Sequence, residues 1–88
     1  MPAISTFFGI TVYMYWDDHA PPHIHALYQD KEALIEIKTG IALAGQLPKR
    51  AQRIVSEWVS EHQSALLTNW DHGQQMEPFE KVPGADIE

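Results

Sequence analysis

The hydrophobic pattern of this chain changes period once, and that switch restricts the architectures open to it more than any other feature. Between residues 4 and 16, Ile10, Val12, Met14 and Trp16 alternate with Thr11, Tyr13 and Tyr15. A period of two belongs to a strand with one apolar face. Beyond Pro48, the residues Ala51, Ile54, Val55, Trp58, Val59, His62, Ala65, Leu66 and Trp70 recur at intervals of three and four. Such spacing makes one apolar stripe along a helix of about six turns. Pro48 suits the first helical position, where a missing N–H costs nothing, and Gly73 is the expected stop. Neither element can bury its apolar side alone, so helix and sheet must pack on each other.

Turn signals divide the N-terminal half into strands. Gly9 reads as a bulge or bend inside the first strand. A second strand is expected from His23 to Tyr28, with Gln29-Asp30-Lys31 reversing the chain into a third from Glu32 to Lys38. There Ile35 and Ile37 face one way, Glu36 and Lys38 the other. Thr39-Gly40 forms another turn, and Ile41 to Ala44 adds a short fourth strand. The expected fold is α+β, a three- or four-stranded antiparallel β-meander packed against one long C-terminal α-helix. It spans 1–83 as a single domain, with 84–88 as a flexible tail. At 88 residues the chain is too short for two cores, yet its 44% hydrophobic content is enough for one. A core this small gains from a homodimer or a bound partner.

The chemistry concentrates in Asp17-Asp18-His19-Ala20-Pro21-Pro22-His23-Ile24-His25, which holds three of the five histidines. With no cysteine in the chain, metal ligands must come from His, Asp or Glu. On an extended strand His23 and His25 project to one side and Ile24 to the other. One reading makes His19, His23 and His25 ligands to Zn²⁺ or another divalent transition metal, with Asp17 or Asp18 as a fourth or supporting group. A second makes His23 and His25 the general base and acid of a metal-independent ribonuclease acting through the 2′-hydroxyl. Its phosphate would be held by Lys49, Arg50 and Arg53 at the helix start. The bland alternatives are a rigid, solvated connector for the histidines and a simple offset of surplus acid for the basic trio. Tyr13 and Tyr15 share a face on which a base could stack. His62, Trp58 and Trp70 sit at core spacing, and His72 complements the end of the helix dipole.

Other classes lack support. There is no Gly-rich phosphate loop, no Gly-x-Ser-x-Gly elbow and no cysteine nucleophile. The net charge of −6 argues against a generic nucleic-acid coat. No segment reaches membrane-spanning length and the N-terminus lacks an apolar leader, so the expected location is cytoplasmic.

Ile4-Ser5-x-Phe7-x-Gly9-Ile10, Met14-Tyr15, Asp18-His19-x-Pro21-Pro22-His23-x-His25-Ala26, Gly45-x-Leu47-Pro48-x-Arg50, Trp58, His62 and Asn69-Trp70 occur in this order. Together they resemble a bacterial family catalogued as domain of unknown function 4160. The resemblance implies a small cytoplasmic protein, often encoded beside another small protein in a manner similar to toxin-antitoxin pairs. Its sheet-then-helix order is similar to the double-stranded-RNA-binding-type fold of some histidine-dependent toxin ribonucleases. The function implied is a toxin-antitoxin component acting on RNA or on the neighbouring gene's protein through the histidine segment. A divalent-metal-binding protein using the same histidines is the alternative. A non-catalytic protein-interaction module, binding through a strand edge or the Pro-containing tail, is the third reading.

Overall fold

Phe8 and Gly9 both take positive φ, 51° and 77°, as a tight hairpin turn matched to strand twist requires. In the computed structural model, which describes residues 2–86, this turn cuts the first apolar run into β1 (Ala3–Phe7) and β2 (Ile10–Tyr13). Gly9 therefore reverses the chain, where a bulge within one strand was expected. The β2–β3 connection carries the Pro-Pro pair, with the Ala20–Pro21 peptide in cis. β3 (His23–Tyr28), β4 (Lys31–Glu36) and β5 (Ala42–Gly45) follow. All five strands form one antiparallel sheet in the order β1-β2-β3-β4-β5. The meander is thus one strand larger than the upper expectation, and the extra strand comes from the division at Phe8-Gly9.

Register sorts the two faces. Ala26 lies between Val12 and Ala33, and Ile24 opposite Ile35; all are fully buried and point to the core. On the other face His25 lies between Tyr13 and Leu34, and His23 opposite Glu36.

The single long helix is corrected to two, α1 (Lys49–Glu61) and α2 (Gln63–Gln74). His62 between them leaves helical geometry at φ −120° and ψ 25°. Its ring nitrogen Nδ1 lies 2.9 Å from the Trp58 carbonyl oxygen, which its own backbone N–H also reaches at 3.1 Å. Side chain and main chain converge on one acceptor, which is a recognised cause of helix bending. Gln63 then anchors the new helix by donating to the carbonyls of Ile37 and Lys38, both at 3.0 Å. The break shifts the phase of the stripe. Ala51, Val55, Trp58, Val59, Leu66 and Trp70 are buried as expected, but Ala65 is exposed and Asn69 is buried in addition.

Both helix boundaries move slightly. Pro48 stands just outside α1 with φ −54° and ψ 147°. At the far end the stop is Met76, at φ 60°. Glu77 N–H reaches His72 O at 2.8 Å and Met76 N–H reaches Gly73 O at 3.2 Å, which together make a Schellman motif. Gly73 lies inside the last turn and serves a close approach instead. A Cβ there would stand 2.9 Å from the Phe79 ring and 3.4 Å from Tyr15 O.

The tail returns to the start of the chain. Val82 N–H donates to Ile4 O at 2.9 Å, Trp58 Nε1 to Pro83 O at 2.8 Å, and Lys81 Nζ to Ala3 O at 2.7 Å. Asn69 both donates to and accepts from the Glu80 main chain at 2.8 Å. The outer edge of β1 is covered by these contacts. Gly84, where the flexible tail 84–88 was expected to begin, is buried against Phe7. Ile87 and Glu88 lie outside the described residues.

Candidate metal centre

Asp18 is carried into place by the end of α2. In the β2–β3 loop, Trp16 donates from Nε1 to Glu77 O at 2.8 Å and stacks on Phe79 with ring centroids 5.0 Å apart. Asp17, at φ 54°, donates its N–H to Gly73 O at 3.1 Å. Gln74 Nε2 donates to Asp18 O at 3.1 Å. These bonds hold the Asp18 carboxylate against the N-terminal half of β3. One oxygen, Oδ1, accepts the His19 N–H at 2.8 Å. The other, Oδ2, lies 3.0 Å from His23 Nε2 and 3.2 Å from His25 Nε2.

The proton on His23 is placed by its neighbour. Nδ1 lies 2.8 Å from Pro21 O, and a carbonyl only accepts, so Nδ1 carries the hydrogen. In the neutral ring Nε2 is then a bare lone pair. That atom is buried, in a residue only 5% exposed, and makes no hydrogen bond although Asp18 Oδ2 is close by. A lone pair facing a carboxylate is repelled unless a cation, proton or metal, stands between them.

His25 is fixed by aromatic contacts. Its ring stacks on Tyr13 at 5.2 Å and 14°, and meets Tyr15 edge-on at 4.7 Å. Its Nδ1 faces Glu32 Oε2 at 3.9 Å. Trp70 from α2 covers the His23 ring at 5.2 Å, and the two imidazoles lie 5.2 Å apart.

Opposing effects act on the Asp18 carboxyl. Burial pushes its pKa up, while the hydrogen bond to His25, the His19 amide and the charge of both imidazoles pull it down. The second group prevails and the value falls below the ordinary 3.8.

The donor atoms of Asp18, His23 and His25 all lie within 4.8 Å of one another. Ligands at ~2.1 Å from an ion sit roughly 3.0 Å apart at octahedral and 3.4 Å at tetrahedral geometry. The carboxylate-to-imidazole separations of 3.0 and 3.2 Å fall in that range.

The structure therefore brings His23 and His25 together, and sets Asp18 where His19 was expected as the third ligand. His19 and Asp17 are exposed and stand outside the group. Lys49, Arg50 and Arg53 are not brought to the histidines either. Arg50 shares a cleft with Phe8, Ile10 and Tyr28. Tyr28 is the far end of β3 from His23, ~17 Å along the strand. Tyr13 and Tyr15 are occupied by the His25 ring. His62 is half-buried and its ring bonds the Trp58 carbonyl, apart from the other histidines. Glu32, two register positions from His25 and on the same face, was missed; on β4 it is the only acidic side chain near that ring among the described contacts. The alternation placing Glu32 and Leu34 on the histidine face was a signal that could have found it.

A five-stranded antiparallel sheet with two helices and an Asp-His-His cluster at one end defines a small α+β protein with a compact polar site. The family described as Domain of unknown function (DUF4160) matches residues 9–71, and the chain belongs to that family. The matched span holds Asp18, His23 and His25, and stops short of Gln74 and Glu77, which hold the Asp18 loop. No curated protein and no solved structure gives a significant match. Among the described residues, no helix is long and apolar enough to cross a membrane.

Proposed function

We propose that the protein binds a divalent transition-metal ion through Asp18 Oδ2, His23 Nε2 and His25 Nε2. The observation that carries this reading is His23: its Nδ1 hydrogen is committed to Pro21 O, and its buried Nε2 lacks a hydrogen bond while aimed at a carboxylate. Metal-bound histidines characteristically donate their second nitrogen to a carbonyl or carboxylate. His23 uses Pro21 O in this way at 2.8 Å, and the second nitrogen of His25 faces Glu32 Oε2 at 3.9 Å, beyond hydrogen-bond length. Two imidazoles and one carboxylate suit Zn²⁺, Fe²⁺, Co²⁺ or Ni²⁺ over hard, oxygen-seeking Mg²⁺ or Ca²⁺. An ion with three protein ligands keeps a position for an exchangeable group and acts there as a Lewis acid. Tyr13 and Trp70 hold the two rings, and the lowered pKa keeps Asp18 ionised.

The finer reading of a toxin-antitoxin component, acting on RNA or on a neighbouring gene's protein, draws its support from the family resemblance. Its metal-independent ribonuclease form asks for Lys49, Arg50 and Arg53 beside the histidines, and these stand at the opposite end of β3. The site geometry favours the metal.

The test is calorimetric titration of untagged, chelator-stripped protein with Zn²⁺ and Co²⁺. We expect one ion per chain, with binding lost in the Asp18→Asn/His23→Gln double variant. Equal heats from the wild type and that variant, with both folded by circular dichroism, would sink the proposal.

A further inference from the structure

We infer that the cleft between the β1–β2 turn and α1 binds a free nucleoside 5′-monophosphate, its base against Phe8 and Tyr28 and its phosphate on Lys49, Arg50 and Arg53. This second site does not rest on the metal-binding reading.

The first observation is the cleft. Phe8, Ile10, Tyr28, Pro48 and Ile54 enclose about 320 Å³ beside Arg50. Pockets for small ligands span roughly 300 to 1,000 Å³, so this one has room for a single ring system and not for a helix. Apolar walls with two aromatic side chains suit a flat, uncharged body, and every nucleobase offers a face for stacking.

The second is Phe8. A hairpin turn with positive φ at both central residues favours Asn-Gly or Asp-Gly, yet a phenylalanine stands here at φ 51°. It is 58% exposed, so burial in the core does not offset that strain. A bulky aromatic kept at an unfavourable backbone position and lining a cleft points to a role in binding.

The third is charge. Three of the chain's six basic side chains, Lys49, Arg50 and Arg53, fall within five positions and are exposed. None of them makes an ion pair among the described residues. Lys49 and Arg53 line a second groove along α1, and Arg50 is the residue common to that groove and the aromatic cleft. A ligand spanning both joins a flat apolar body to a multiply charged anion. A phosphate monoester carries about 1.5 to 2 negative charges at neutral pH and accepts from an Arg fork, whereas a carboxylate carries only one. The chain's net charge of −6 repels a long polyanionic strand, which favours the free mononucleotide.

The experiment is titration of ¹⁵N-labelled, untagged protein, followed by ¹H–¹⁵N spectra with chelator present so that no metal at Asp18 can carry the phosphate. The probes are AMP, GMP, CMP and UMP, with adenosine and inorganic phosphate as the two halves of the ligand. Saturating shifts are expected at the amides of Phe8, Ile10, Tyr28 and Arg50 to Ile54. At least one mononucleotide should bind about tenfold or more tightly than either half. Phe8→Asn removes the ring while suiting the left-handed turn, and Arg50→Gln removes the shared cation. Each should weaken binding by about tenfold or more with the fold intact by circular dichroism. The inference is overturned if no mononucleotide binds, if inorganic phosphate binds as tightly, or if the shifts centre on His23 and His25. Wild-type affinity in either variant overturns it too, as does tighter binding of a 5′-phosphorylated oligonucleotide, which would assign the site to a nucleic-acid end.

Discussion

His23 Nδ1 and the carbonyl oxygen of Pro21 lie 2.8 Å apart, two residues from each other along the chain. This short bond decides which nitrogen of His23 is free, and so which way the ring can act. Long-range ¹H–¹⁵N correlation spectra of the stripped protein should show neutral His23 protonated at Nδ1 and bare at Nε2. Added Zn²⁺ should shift Nε2 and leave the Nδ1 hydrogen in place. An Nε2–H tautomer would contradict the bonding described.

Asp18 sets an acid limit on stability. Its folded pKa lies below the unfolded 3.8, so the ionised carboxyl stabilises the fold above about that pH. The contribution disappears as pH falls through the lower, folded value. Urea denaturation of metal-free protein should therefore show a loss of stability on acidification below pH 3.8 that is smaller in Asp18→Asn. An identical acid limb in the two proteins would remove Asp18 from the explanation.

Gly45 closes β5 at φ 75°, and a Cβ there would collide with the Glu32 carbonyl oxygen. Gly45→Ala combines a left-handed backbone with a backbone clash. The expected cost is about 2–4 kcal/mol in equilibrium unfolding. A variant as stable as the wild type would mean that the β4–β5 register is looser than the pairing shows.

Asn69 imitates a strand partner for the Glu80 main chain through its two 2.8 Å bonds. Asn69→Ala should destabilise by about 1–3 kcal/mol. Hydrogen exchange should quicken at the amides of Glu80 and Val82 before the sheet is affected. Unchanged protection at those two amides would show that Val82 alone holds the tail.

Half of the site was readable from local pattern. A period of two puts His23 and His25 on one side of β3 whatever surrounds them, and the buried face of Ile24, Ala26, Ile35 and Ile37 follows from the same rule. Asp18 was harder to distinguish from Asp17, because what separates them is a set of bonds to Gly73, Gln74 and Glu77. Those partners lie 56 residues or more downstream, as Gln74 does from Asp18, and no local spacing encodes them. The helix break was hidden for a similar reason. His62 is neither proline nor glycine, and its effect depends on a ring orientation that periodicity cannot express. Phe8 was misleading in another way, since a bulky aromatic is an uncommon choice for positive φ and Gly9 alone reads equally well as a bulge.

The bonds from Trp16, Asp17 and Asp18 to the end of α2 join an early loop to a late helix terminus. A chain still emerging from the ribosome would have His23 and His25 in hand long before Gly73, Gln74 and Glu77 exist outside the exit tunnel. The Asp18 side of the cluster would therefore be set only after α2 has been made, and a product ending before Gly73 would keep both imidazoles without the bonds that place their carboxylate.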